Sequence, residues 1–332
     1  MSRSSLAQWQ LQSRFFWHQN IPACLAILAL GLFAAPVAGQ APATAPLAAA
    51  KKLPPPEELT LATSDGLALR ATYFASLLGK EAVPVILLHS SKGSRGDFAS
   101  MAVDLQKLGH AVLVPDLRGH GESTQLKNPQ TQREVDLDAT RFSRMDYLKM
   151  VNFDMEKLKN FLRDKNNAGE LNLEKLCVVG VELGAVVALN WAALDWSWPI
   201  LATGKQGQDV KALALISPEW TIKGGFSINE ALATNAVQSE LSIMLIAGAS
   251  NSKSMSDTKR MYAGFERSHP APPAGEEAEK QDLFLIPLKT SLAGGKILGE
   301  PSLNLNAIIA QFIDYRLVKK QFAWSERKNP LE

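Results

Sequence analysis

Short apolar runs alternating with helix-patterned segments are the feature that most narrows what this chain can fold into. Six such runs occur, at 83–89, 111–115, 176–181, 210–216, 242–247 and 283–287. They are apolar almost throughout rather than on alternate residues. A strand apolar on both sides must be covered on both sides, and helix-patterned segments at 97–108, 147–165, 183–193, 257–265 and 307–318 supply the cover. Two alternating runs, 59–64 and 67–74, come first and meet at Asp65-Gly66, a dipeptide that favours a hairpin turn. The pattern predicts an α/β domain built on a mostly parallel sheet of about eight strands with helices on both faces. The span between 216 and 242 is too short for a large cap domain.

The ends read differently. Arg3, Arg14 and His18 precede an apolar run at 21–38, small residues follow at Val37, Ala38 and Gly39, and no acid occurs before residue 51. Residues 1–39 therefore read as a signal peptide or a membrane anchor. Either places the domain outside the inner membrane: secreted or periplasmic, or held to the membrane by 21–38. Cys24 does not follow the apolar run, which argues against a lipidated cysteine. Residues 40–56 form a linker rich in Pro and Ala, 57–320 the domain, and 321–332 a polar tail. The polar stretches 124–140 and 266–281 are expected to be mobile surface loops.

Charge and cysteine exclude several function classes. Two of the 35 basic residues, Arg3 and Arg14, lie in the leader, and the rest balance the 33 acids. That balance gives no support for a nucleic-acid partner, and it leaves the N-terminal segment as the one route to a membrane. The two cysteines, Cys24 and Cys177, have no zinc-ligand spacing, and removal of the leader would leave one thiol and no internal disulfide. The string GVELG is not a dinucleotide fingerprint and no phosphate-binding P-loop occurs. No cofactor and no metal are expected.

Gly180 and Gly184 lie two residues either side of Glu182, after an apolar run and at the start of a helix pattern. That spacing suits a tight strand-to-helix turn, where neighbours two away must be small. Four segments in order, VILLHSSKGS, PDLRGHGES, VVGVELGAVVAL and MLIAGASN, resemble the α/β-hydrolase superfamily and its serine hydrolases and lysophospholipase-like members. The resemblance covers about 57–320, nearly the whole domain past the leader. It implies a nucleophile elbow at Glu182, a pocket and oxyanion donors at Ser90, Ser91 and Leu183, a catalytic acid at Asn251, and a histidine base after the last strand.

All three catalytic positions depart from that pattern. Glu182 replaces the nucleophilic serine, and no GxSxG occurs anywhere. Asn251 replaces the acid. The five histidines are His18, His89, His110, His120 and His269, so none follows the last strand, where the chain reads SLAGGKIL instead. Acyl transfer needs an activated nucleophile, a base within reach and a group that orients the base. Some members of the superfamily use an elbow Asp as nucleophile, but they still need a histidine to release the ester. Glu is also one methylene longer, and a misplacement of about 1 Å can cost roughly a hundredfold in rate.

Several residues compete for roles around Glu182. His89 and His120 should lie near the C-terminal edge of the sheet, His89 as a candidate base or both as loop hydrogen-bonders. A buried carboxylate is costly without donors, so Glu182 is expected to pair with Lys92, Arg95 or Lys296, or to accept from Ser90 and Asn251. Trp191, Trp196, Trp198 and Trp220 are expected to pack around the elbow helix. Three functions stay open: a non-catalytic binding or interaction protein with a small-molecule or protein ligand, a hydrolase using Glu182 as nucleophile or general base, and a structural envelope protein.

Overall fold

The computed structural model describes residues 52–202 and 204–327. The leader and most of the linker lie outside the described residues. Among those described, no helix is long and apolar enough to cross a membrane.

An antiparallel hairpin opens the domain. Strand β1 (Glu57–Ala62) pairs with β2 (Ala68–Phe74), in register from Glu57↔Tyr73 to Ala62↔Ala68. The turn forms at Asp65-Gly66 as predicted. Gly66 has φ 95°, and the Thr63 hydroxyl accepts from the Leu67 N–H at 2.9 Å. The apolar runs then become β3 (Pro84–Leu88), β4 (Ala111–Pro115), β7 (Leu176–Val181), β8 (Val210–Ile216), β9 (Ser242–Gly248) and β10 (Leu283–Leu288). They form one eight-stranded sheet in the order β1-β2-β4-β3-β7-β8-β9-β10, parallel from β4 onward. Every residue of β3, β4, β7 and β9 is buried, which is what apolar strands covered on both faces require.

Helices cover both faces. One apolar layer packs α2 (Arg144–Lys149), α3 (Glu156–Asn167) and α4 (Leu183–Ser197) on the sheet, and the other packs α1 (Ala99–Lys107) and α6 (Leu305–Ile313). A sixth long segment, α5 (Ser252–Phe265), follows β9. Between β8 and β9 stand two short helical turns, Asn229–Leu232 and Asn235–Ser239, and no large cap domain.

Two stretches differ from expectation. The 124–140 loop carries a small ribbon, β5 (Gln125–Lys127) with β6 (Glu134–Asp136), and Leu126 bridges to Leu67 of the main sheet's hairpin. The segment 321–332, expected to be a polar tail, is docked over its described residues, as far as Arg327. Asn172 donates to the Phe322 carbonyl at 2.9 Å, Asn166 to Ser325 at 3.0 Å and Asn167 to Arg327 at 2.7 Å. The Arg327 guanidinium enters a buried cluster beneath β8. There it meets Asp209 and lies 2.8 Å from Glu174 Oε1. In the same cluster Asp195 accepts from the N–H groups of Asp209 and Val210, at 2.6 and 3.0 Å. A buried arginine is stable only where carboxylates surround it, and this cluster supplies them.

Candidate functional site

The site is built where β7 runs into α4. Glu182 sits between them with φ 47° and ψ −106°, a region that L residues adopt only where the surroundings hold them. The Glu182 N–H donates to the Ile216 carbonyl at 3.0 Å, and the Glu182 carbonyl accepts from Ala185 and Val186 at 3.1 and 3.2 Å, which locks the turn. Both flanking glycines are needed for space. A Cβ on Gly180 would overlap the Gly184 backbone, and one on Gly184 would overlap the Leu88 carbonyl. Leu183 is buried and opens α4, so its N–H is a first-turn donor with no intrahelical acceptor. The backbone for holding a nucleophile and presenting an oxyanion donor is therefore in place.

The side chains do not match it. Among the described residues, none donates a hydrogen bond to the half-buried Glu182 carboxylate. Burial raises its pKa first, repulsion from Glu219 raises it further, and Lys253 and Lys92 oppose both. Lys253 is itself 3.3 Å from Glu219. The carboxylate rests against Gly294, where φ is 59° and a Cβ would run into Oε1. Gly294 lies after β10, in the SLAGGKIL stretch where the resemblance implied a histidine. Its N–H donates to the Ser217 hydroxyl at 2.9 Å, and Ser217 has φ 46°. The glycine and the glutamate thus share one small volume, and a side chain at 294 would displace the carboxylate.

No expected partner of Glu182 bonds its carboxylate, which corrects the pairing expectation. Arg95 turns to Asp116, Glu122 and Glu58. Lys296 is exposed on the short turn Gly295–Leu298 and forms no ion pair among the described residues. Lys92 is exposed and acts on Glu182 only at long range. The Asn251 side chain caps α5, accepting from the Ser254 N–H at 3.0 Å and donating to the Ser291 carbonyl at 3.2 Å. Ser90 is buried with its hydroxyl beside Gly93 and Gly295, and Ser91 is exposed.

The candidate base also needs correction. His89 is fully buried. Its Nδ1 lies 2.7 Å from the Ser90 carbonyl, so Nδ1 carries the proton, and Nε2 accepts from the Leu117 N–H at 2.9 Å. Both nitrogens are spent on backbone, and burial pushes the ring's pKa down to about 4. No lone pair is left to take a substrate proton. His120 packs edge to face on His89 at 5.3 Å, with its nitrogens 2.9 Å from the Arg118 carbonyl and 3.1 Å from the Ser91 carbonyl. His110 precedes β4 and His269 follows α5, both at the opposite edge of the sheet. Among the described residues no imidazole hydrogen-bonds the elbow carboxylate, and no group of His, Cys, Asp and Glu is arranged to hold a metal.

The PDLRGHGES string is structural. Arg118 is buried and forks onto Asp154, at 3.0 and 2.5 Å, and onto Asp65, at 2.6 and 2.9 Å, tying the hairpin to the segment between α2 and α3. The tryptophans do not converge on one site. Trp191 donates to Glu156 at 2.8 Å, Trp196 to the Val210 carbonyl at 2.8 Å and Trp220 to Asn229 at 2.9 Å, while Trp198 is exposed. Sequence reasoning missed Gly294, Ser217, Glu219 and Lys253. The adjacent glycines at 294 and 295 were the one signal available.

The alpha/beta hydrolase fold family profile matches residues 83–271. No curated protein sequence matches the chain. Among solved structures, the Pyrococcus furiosus esterase Pf2001 is similar at TM-score 0.53 and 16% identity, over 79% of this chain and 93% of its own. DcsB, solved in complex with its substrate analogue, is similar at TM-score 0.54 and 13% identity, over 79% and 99%. TT1662 from Thermus thermophilus is similar at TM-score 0.51 and 14% identity, over 80% and 99%. At such identities the likeness speaks to the fold.

Proposed function

The chain belongs to the alpha/beta hydrolase fold family, and from that premise we propose that it is an exported member that acts by binding and not by acyl transfer. The observation that carries this reading is the contact of the Glu182 carboxylate with Gly294. Glycine stands where the base is needed, and the glutamate side chain fills the space a base would occupy. A carboxylate at an elbow can open an ester or a haloalkane only if an imidazole then activates water to release the product. The candidate base, His89, has both nitrogens bound to backbone. The first-turn N–H groups of α4 and the half-buried carboxylate remain as recognition elements for a small-molecule or protein ligand.

Export rests on the basic and apolar leader at 1–39. N-terminal sequencing of the protein recovered from cells reads whether that segment is removed or retained.

One observation favours a second reading, a hydrolase of unusual mechanism. The Glu182 carboxylate accepts no hydrogen bond among the described residues, so its lone pairs are free to attack. Turnover of p-nitrophenyl acetate and of a short haloalkane separates the two. The binding reading expects no turnover in wild type or Glu182→Gln, with ligand-dependent thermal stabilisation in a screen. Turnover that disappears in Glu182→Gln establishes the carboxylate mechanism. Neither turnover nor stabilisation leaves a structural envelope role.

A further inference from the structure

We infer that the edge of the sheet opposite the elbow, where the parallel strands begin, is a membrane-facing surface. The inference concerns a face that the elbow does not touch. It rests on the reading of 21–38 as a segment that enters a bilayer.

The exposed apolar side chains are unevenly placed. Leu77 and Leu78 lie just past β2, whose last residue Phe74 pairs with Val112 near the start of β4. Leu78 packs on Gly109 and stands beside Leu108, which follows α1. Trp198, Ile200 and Leu201 form a loop after α4, just ahead of β8. Exposure is 55% at Leu78, 57% at Leu108 and 65% at Ile200. Val318 ends the helical segment whose Arg316 donates to the Gln281 carbonyl ahead of β10, so it belongs to this edge too. Seven of the ten exposed large apolar side chains among the described residues thus sit on one edge. Scattered apolar exposure is ordinary, whereas this concentration is not.

Three observations point to lipid as the occupant. First, the chain enters the domain at this edge: Gln106, in the last turn of α1, donates to the Pro54 carbonyl at 3.0 Å. Second, the stretch from Gly39 to Leu53 spans at most roughly 50 Å when fully extended, so a bilayer entered by 21–38 stays within reach of the domain. Third, six of these seven apolar tips form two separate groups, Leu77, Leu78 and Leu108 by β4 and Trp198, Ile200 and Leu201 by β8. The starts of β4 and β8 are three strand spacings apart, about 14 Å, and Trp324 lies between with Lys80 stacked on its ring at 3.6 Å. Separated loop tips with tryptophan and lysine between them suit a headgroup layer, where those residue types collect. A protein groove would need a continuous apolar surface.

The test uses the full chain with Cys24→Ser, so that introduced cysteines can be labelled selectively beside the buried Cys177. An environment-sensitive dye is placed at Leu108→Cys, at Ile200→Cys and, as the opposite-edge control, at Lys253→Cys. The protein is mixed with vesicles of phosphatidylethanolamine containing a minor share of phosphatidylglycerol. Flotation reads the leader and dye emission reads the face. The expected result is flotation with a blue shift and brominated-lipid quenching at Leu108 and Ile200, and neither at Lys253. Flotation without a shift at Leu108 and Ile200, or with an equal shift at Lys253, overturns the face. Failure to float overturns the leader reading and the inference with it. A shift at Leu108 that grows with protein concentration without vesicles assigns the surface to a protein partner and also overturns it.

Discussion

The two edges of the sheet treat their carboxylates in opposite ways. Beneath β8, Asp195 and Asp209 are buried beside Lys159, Lys205, Arg327 and backbone N–H groups, although burial and the neighbouring Asp195 still push Asp209 up to about 7. At the elbow, Glu182 is half-buried and accepts no hydrogen bond among the described residues; Glu219 repels it, and Lys253 and Lys92 attract it only from a distance. Deep burial of a charge demands a partner, because desolvation exceeds what an unpaired ion can recover. Glu182 avoids that demand by staying partly in water and by sitting on a glycine. The contrast teaches where this fold keeps its stability and where it keeps its latitude. The edge distant from the family's catalytic position is bound tightly through the docked C-terminal segment, and the elbow retains its strained backbone with a charge that stabilises nothing.

The comparison breaks most easily at Arg327. Replacing it with Met leaves Lys205 as the one cation paired with Asp209 and Glu174 among the described residues and should destabilise the protein by about 3 kcal/mol, read as a drop in the urea midpoint. A loss below about 1 kcal/mol would place the docked segment outside the cooperative unit.

Acid comes next, and it acts on both edges. His89 at the elbow side and His110 at the other are both pushed down to about 4 by burial. Their folded pKa lies below the unfolded value, so the unfolded chain binds more protons between pH 6.5 and 4. Their stabilisation is complete above pH 6.5 and is lost as pH falls to about 4. Each histidine carries a share of about 3 kcal/mol by that difference. Denaturation of wild type and His110→Gln at pH 7 and pH 4 measures one share, and an equal acid loss in both proteins contradicts it.

Gly294→Ala sharpens the elbow half of the contrast. The positive φ and the collision with the Glu182 carboxylate should together cost about 2 kcal/mol. Adding Glu182→Ala should recover the steric part, so the double-mutant cycle shows a coupling of about 1 kcal/mol. Strict additivity would separate the two residues. The smallest effect belongs to Glu182→Gln. Because the fold raises this carboxyl's pKa, removing its charge should leave stability at pH 7 unchanged within about 0.5 kcal/mol or slightly improved.

The frame of the molecule was legible because its signals are local. Apolar runs, the Asp65-Gly66 turn and the Gly180–Gly184 spacing each act within a few residues, and each became the predicted element. The ribbon at 125–136 escaped because its strands are three residues long and mostly exposed, with no period to detect. The docked segment escaped because its composition is polar, and its partners, Asn166, Asn167 and Asn172, lie far back in the chain. At the site, the absence of serine and of a downstream histidine was an inventory fact and stands. The surroundings of Glu182 were misread because attraction between opposite charges suggested Arg95 or Lys296. The structure gives Arg95 to Asp116 and meets the carboxylate with the one residue that has no side chain. That choice depends on three loops meeting, and no single segment encodes it.

Hydrolysis of p-nitrophenyl acetate by Glu182→Ser reads the missing base most directly. The serine restores the nucleophile on an intact elbow, with His89 still bound to backbone and Gly294 still in place. The expected result is no burst and no steady turnover above wild type. A burst of p-nitrophenol followed by turnover would show that an imidazole reaches the elbow after all.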